Sequence, residues 1–303
     1  TKDEVVDDIH SYQNEADIPL LIGVDEEGGT VVRVSSNPNL RETPFLSPKD
    51  TYADGGWDAV KQDAEEKADL LLSLGINVNL APVCDMTSDE YGFMYDRSFS
   101  SDVDMENRYV RTVVETSKSK KLGTVLKHFP GYGNNSDTHT GIAYDDRDYS
   151  EFENTDFKPF YQGIESGADC ILVSHNIVNC MDSEYPASLS QKVHDILRNE
   201  FKFDGVIMTD DLIMDAITDF TGDEAAAVTA AKCGNDLLWC SSVDTQYPAV
   251  LEAVQNGEIP EAQVDASVKR ILKWKQNLGI FNIDTYQKKV KSTEPTDTVE
   301  SEE

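Results

Sequence analysis

Six short runs rich in β-branched and aliphatic residues punctuate this chain, at 19–24, 78–84, 124–128, 170–175, 205–209 and 236–240. Between them lie longer amphipathic stretches, among them 57–74, 103–120, 157–166 and 191–201. Apolar residues recurring every three to four positions specify helices that bury one face, whereas short β-branched runs specify buried strands. Alternation of the two, with dozens of residues per unit, demands crossover connections and therefore parallel strands covered by helices. A chain of 303 residues with 39% hydrophobic side chains can fill one large α/β barrel or two ordinary domains.

What ends each run narrows the choice. Asp25, Asp85, Lys127-His128, Ser174-His175 and Asp210 all fall at the C-terminal ends of the expected strands. A (β/α)8 barrel of the TIM type builds its site at that face. A doubly wound sheet also places ligands at strand ends, but five contributing strands suit a closed barrel better.

The densest chemistry lies between Lys127 and His139, which reads Lys-His-Phe-Pro-Gly-Tyr-Gly-Asn-Asn-Ser-Asp-Thr-His and holds two of the chain's five histidines. Asp137 and His139 are separated by one residue. A carboxylate beside an imidazole orients the ring and stabilises its cationic form, which makes a proton-transfer pair. Gly131 and Gly133 predict a mobile loop, so that without a ligand His139 can lie far from Asp210. A fixed Lys127-His128 pair thus joins a movable acid/base, which suggests catalysis on a polar ligand. Alone, Asp137 to His139 also reads as a polar turn, and Asp210-Asp211 as helix caps. A metal site from His128, Asp137 and His139 is disfavoured by the neighbouring cation Lys127.

This segment resembles the β-N-acetylhexosaminidases of glycoside hydrolase family 3, whose pattern is roughly K-H-F-P-G-H-G followed by D-S-H. Tyr132 replaces the second His, and Thr138 replaces Ser. Four more blocks agree in order: Gly23-Val-Asp-Glu-Glu-Gly-Gly29 with Arg33 beyond it, Asn79-Leu-Ala-Pro-Val-Cys-Asp85, Arg97-Ser-Phe99, and Gly205-Val-Ile-Met-Thr-Asp-Asp-Leu212. The resemblance runs from about residue 19 to 281.

The resemblance implies a retaining exo-β-N-acetylglucosaminidase that removes terminal N-acetylhexosamine from cell-wall fragments or chitin oligosaccharides, with a carbohydrate substrate and no metal or organic cofactor. Asp210 would be the nucleophile, which stabilises an oxocarbenium-like transition state and bonds the anomeric carbon. His139 would be the acid/base, oriented by Asp137. Asp25, Arg33, Arg97, Lys127, His128 and His175 would form the sugar-binding set, because a pyranose presents hydroxyls that both donate and accept. His175 also reads as a satisfied barrel-top histidine, and Asp85 as a partner for Arg97 or Lys127. Two rivals remain: a β-glucosidase or β-xylosidase of the same broad family, and a non-catalytic sugar-binding module on a degenerate barrel. In the family a further strand precedes the first run visible here, so the expectation is a barrel lacking its first strand.

Composition bounds the partners. Acidic residues number 57 against 26 basic ones, a net charge of −31. Nucleic acid and anionic membranes are therefore poor partners. No apolar run reaches the length of a membrane-spanning helix. Cys84, Cys170 and Cys240 lie in apolar runs and read as small buried hydrophobes. The barrel domain is expected over residues 1–283, and the acidic stretch 284–303 reads as a disordered tail or linker.

Overall fold

The computed structural model describes residues 1–221 and 223–287. All six expected runs form strands, each with its own bounds: β1 (Gly23–Val24), β2 (Val78–Asn79), β3 (Gly123–Phe129), β4 (Cys170–Val173), β5 (Val206–Asp211) and β6 (Leu237–Trp239). They form one parallel sheet in sequential order, with registers Gly23 to Val78, Val78 to Gly123, Val125 to Cys170, Cys170 to Val206 and Met208 to Leu237. Among the described residues the ring does not close, and β1 and β6 are its two edges. The expected barrel lacking its first strand is thus, among the described residues, an open parallel sheet of six strands.

The first run shortens to the two residues Gly23–Val24 at the β1 edge. An edge strand has one neighbour, so its other backbone groups need different partners. The Gln13 side chain accepts from Leu20 N at 2.8 Å and donates to Leu20 O at 3.1 Å. The Asn77 side chain accepts from Ile22 N at 2.9 Å. These amides satisfy the Leu20 backbone and the Ile22 N–H without a ladder.

Alternation along the strands separates two apolar layers. Leu126, Phe129, Ile171, Val173 and Ile207 face helices and pack with Val110, Val114, Phe157, Phe160 and Leu197. Val78, Leu80, Val125, Leu172, Val206 and Met208 face inward and meet Trp274 and Leu278 near the end of the helix Glu261–Asn277. Trp274 is 2% exposed. A side chain at Gly123 would meet its indole at 3.1 Å, so glycine there admits the plug.

Helix Val103–Lys120 and helix Phe157–Ser166 keep their expected bounds. The helix expected from residue 57 begins at Pro48 and kinks at Gly55-Gly56, where the backbone leaves helical angles. The helix expected over 191–201 is α-helical from Gln191 to Asp195 and widens to a π turn over Ile196–Glu200. Cys84 and Cys170 are buried, but Cys240 is only half-buried. Residues 283–287 are helical, with the Tyr286 ring 5.7 Å from Phe281. The remainder of the expected tail, 288–303, lies outside the described residues. Among the described residues no helix is long and apolar enough to cross a membrane.

Candidate active site

The C-terminal ends of the strands open into a pocket of about 510 Å³. Eight of the nine residues proposed from sequence line it: Asp25, Arg33, Arg97, Lys127, His128, Asp137, His139 and Asp210. They come from loops and strands up to 185 positions apart, so the fold brings them together.

Its floor is an ion network. Lys127, in β3, is 3% exposed and places Nζ 2.5 Å from Asp25 Oδ1 and 2.7 Å from Glu27 Oε1. Arg97 grips Glu27 with two donors, Nε at 3.0 Å and Nη2 at 2.8 Å. Burial pushes the Glu27 carboxyl up, but Lys127 and Arg97 outweigh it and hold the group at about 2. Burial likewise disfavours the Lys127 ammonium, yet Glu27 and Asp25 keep it above its ordinary value. Two buried cations thus face carboxylates, and Asp25 is fixed with part of its oxygen surface open to the pocket.

Glu26 and Glu27 were not singled out in the sequence. Glu26 is fully buried and accepts from Arg33 N at 3.0 Å and Val34 N at 2.7 Å, which shapes the turn carrying Arg33. Asn79 of β2 holds the Glu26 backbone on both sides, at 3.0 and 3.1 Å. The available signal was Lys127 itself: an ammonium on a buried strand requires a buried anion.

Asp85 pairs with neither Arg97 nor Lys127. Its Oδ2 lies 2.7 Å from His128 Nδ1 and accepts from His128 N at 3.0 Å, while Oδ1 accepts from Tyr132 N at 2.7 Å. With Nδ1 engaged, the His128 Nε2 edge is turned towards Arg97 Nη2, 3.2 Å away, at the pocket. Asp85 therefore positions His128 and the start of the following loop together.

Asp210, near the end of β5, accepts from Asp211 N at 2.8 Å. Burial raises its pKa, but the His175 and His128 rings, the Asp211 N–H and Lys127 together bring it below the ordinary 3.8. Burial also lowers the pKa of His175, so near neutral pH that ring is uncharged and Lys127 with the Asp211 N–H carries more of the effect. Asp210 is thus held as a carboxylate. His175 stands apart from the pocket wall. It is fully buried, with Nδ1 2.7 Å from Ser188 Oγ and Nε2 3.0 Å from Asp211 O. Both ring nitrogens are engaged, which fits the barrel-top reading and leaves no nitrogen for a sugar. Asp211 accepts from Ile213 N and from Ser241, and so joins the end of β5 to the segment after β6.

The loop after β3 folds over this floor. His139 Nδ1 lies 2.6 Å from Asp137 Oδ1, which also accepts from His139 N at 2.9 Å. The His139 ring is 58% exposed on its side chain and meets the edge of Phe93 at 6.2 Å. His139 and Asp210 line the same pocket, and the loop is folded in over the floor. Its glycines serve close approach: a side chain on Gly131 would sit 2.3 Å from Asp156 Oδ1, and one on Gly133 2.7 Å from the Arg147 guanidinium. Arg147 ties the loop's base by donating to Gly131 O at 3.2 Å while paired with Asp145 and Asp156. Asn135 donates to the same Asp145 at 2.7 Å. Helix Asp215–Thr221 packs against the turn Thr138–Thr140.

Residues 2–274 match the glycosyl hydrolase family 3 N terminal domain, and the chain belongs to that family. A "Beta-hexosaminidase" of Hydrogenovibrio crunogenus is 34% identical over 252 residues, covering 81% of this chain and 70% of the relative. "Beta-hexosaminidase LpqI" of Mycobacterium tuberculosis is 32% identical over 272 residues, covering 84% and 67%. The solved glycoside hydrolase family 3 β-N-acetylglucosaminidase of a Paenibacillus species superposes with a TM-score of 0.85 at 29% identity. That match covers 92% of this chain and 55% of the Paenibacillus chain, so the present chain spans about half of it.

Proposed function

We propose that this chain is the catalytic domain of a retaining, exo-acting β-N-acetylglucosaminidase built on the (β/α)8 barrel of its family. The observation that carries the proposal is the single pocket in which an anionic Asp210 faces the Asp137–His139 pair above a neutralised floor of Asp25, Glu27, Arg97 and Lys127. The hexosaminidase names of relatives above 30% identity support the same reaction.

In the first step an Asp210 oxygen attacks the anomeric carbon of the terminal sugar and the bond to the leaving oxygen breaks. Protonated His139 gives its proton to that oxygen, and a covalent glycosyl-enzyme remains. In the second step neutral His139 takes a proton from water, whose oxygen attacks the anomeric carbon and releases Asp210. Two displacements retain the configuration. Asp137 keeps the His139 ring oriented through its contact with Nδ1. Asp25, Lys127, His128, Arg97 and Arg33 offer acceptors and donors to the sugar hydroxyls, whereas His175 supports the backbone beside Asp210. The proposed substrates are terminal β-linked N-acetylglucosamine residues of cell-wall fragments or chitin oligosaccharides.

The test is hydrolysis of nitrophenyl β-glycosides that differ only at C2. The 2-acetamido substrate is expected to exceed the 2-hydroxy one in kcat/KM by at least ~10²-fold, the scale set when a built polar contact is lost. Preference for the glucoside, or cleavage of neither, would overturn the assignment.

A further inference from the structure

The sequence departs from the family pattern K-H-F-P-G-H-G … D-S-H at two positions, Tyr132 and Thr138, and the fold places these two side chains in contact. The Tyr132 hydroxyl and Thr138 Oγ1 share a hydrogen bond, closing the loop six residues apart. Tyr132 is 2% exposed, and Thr138, between the solvent-facing Asp137 and His139, is fully buried. A threonine sequestered inside so polar a turn needs a partner for its hydroxyl, and Tyr132 supplies it.

The Tyr132 ring is itself fixed. It meets the His128 ring at 5.4 Å and Phe93 at 5.8 Å, and Phe93 in turn meets His139 at 6.2 Å. Its backbone N–H donates to Asp85 Oδ1, the carboxylate that also holds His128. One connected path therefore runs from a pocket imidazole through Asp85 and Tyr132 to Thr138, the residue between the two members of the acid/base pair.

We propose that Tyr132 and Thr138 form a clasp that holds the Asp137–His139 pair over Asp210, with Tyr132 as a positioning residue for proton transfer. The proposal deepens the hydrolase reading and rests on it for its kinetic consequence. Its structural consequence, an ordered loop, does not depend on activity. The clasp acts on leaving-group protonation and spares the attack of Asp210, because neither hydroxyl lines the pocket.

Tyr132→Phe, Thr138→Val and the double variant each delete a hydroxyl at nearly constant volume, so the core is preserved. Two measurements decide. Amide hydrogen exchange at residues 133–139 should speed up about five- to tenfold in each variant, the range of one lost hydrogen bond, with the double variant no faster than the faster single one. kcat/KM for poorly departing alkyl glycosides should fall by a similar factor, while dinitrophenyl glycosides change less than about twofold, since they need little protonation. Unchanged exchange overturns the clasp. Faster exchange with an equal loss on every leaving group overturns the positioning role. If the parent cleaves none of the glycosides, the hydrolase reading fails, and exchange alone still decides the clasp.

Discussion

Replacing Glu27 by glutamine removes one charge from the centre of the ion network and keeps the side chain's size. Lys127 then keeps only Asp25 as its close anion, and the Arg97 guanidinium loses the carboxylate it is paired with. The cost follows from the carboxyl's titration, at about 2 in the fold against the usual 4.5. That gap, at about 1.4 kcal/mol per pH unit, corresponds to about 3 kcal/mol, within the roughly 3–5 kcal/mol of breaking a buried ion pair. The sign is fixed by the depressed value. The contribution of Glu27 is fully present above about pH 4.5 and is lost as pH falls through about 2. Urea unfolding of parent and Glu27→Gln should therefore differ by about 3 kcal/mol at pH 6, with the difference shrinking below about pH 4.5 and vanishing only below about pH 2, and with KM raised because Asp25 loses its fixed orientation. Equal stability at pH 6, or a difference that does not shrink with acid, would refute the account of the network.

Further outcomes follow from the site and the core. Asp210→Asn should fold normally, lose at least ~10³-fold in kcat on every substrate, and escape labelling by a 2-deoxy-2-fluoro glycoside that modifies the parent. His139→Ala should slow poor leaving groups far more than dinitrophenyl glycosides, with Asp137→Asn showing the same pattern more weakly; a flat response across leaving groups would make His139 a binding residue. Trp274→Ala should destabilise the domain by about 3–5 kcal/mol, read from the urea midpoint, because the buried indole packs against the inner face of the sheet; an unchanged midpoint would remove it from the core.

How much of this was legible follows the physics of each signal. Strand positions came through because β-branched runs and the polar residue ending each one are local features. Eight pocket residues came through because motif blocks carry chemistry in linear order. Glu27 did not, since nothing in Glu26-Glu27 says which carboxylate turns inward until Lys127 and Arg97 are seen across the pocket. His175 sits in a matching block, yet its two nitrogens are taken by Ser188 and the Asp211 carbonyl, partners set by tertiary folding. Gly131 and Gly133 read as freedom, because a sequence does not show Asp156 and Arg147 packed against them. Barrel closure is likewise a long-range property, and the described strands leave it open.

The sequential strand order also bears on how the domain comes into being on the ribosome. Each strand pairs with the one synthesised just before it, so the sheet can grow as the chain emerges, without waiting for a distant partner. The chemistry does not accumulate in the same way. Asp25 belongs to the first strand's exit, the acid/base loop follows the third, and Asp210 arrives only with the fifth. A nascent chain that stalls before that point can hold much of the sheet and part of the pocket lining, yet it lacks Asp210, the proposed nucleophile. Translation therefore delivers a shape well before it delivers the proposed nucleophile, and the inner-face residues Trp274 and Leu278 arrive after both.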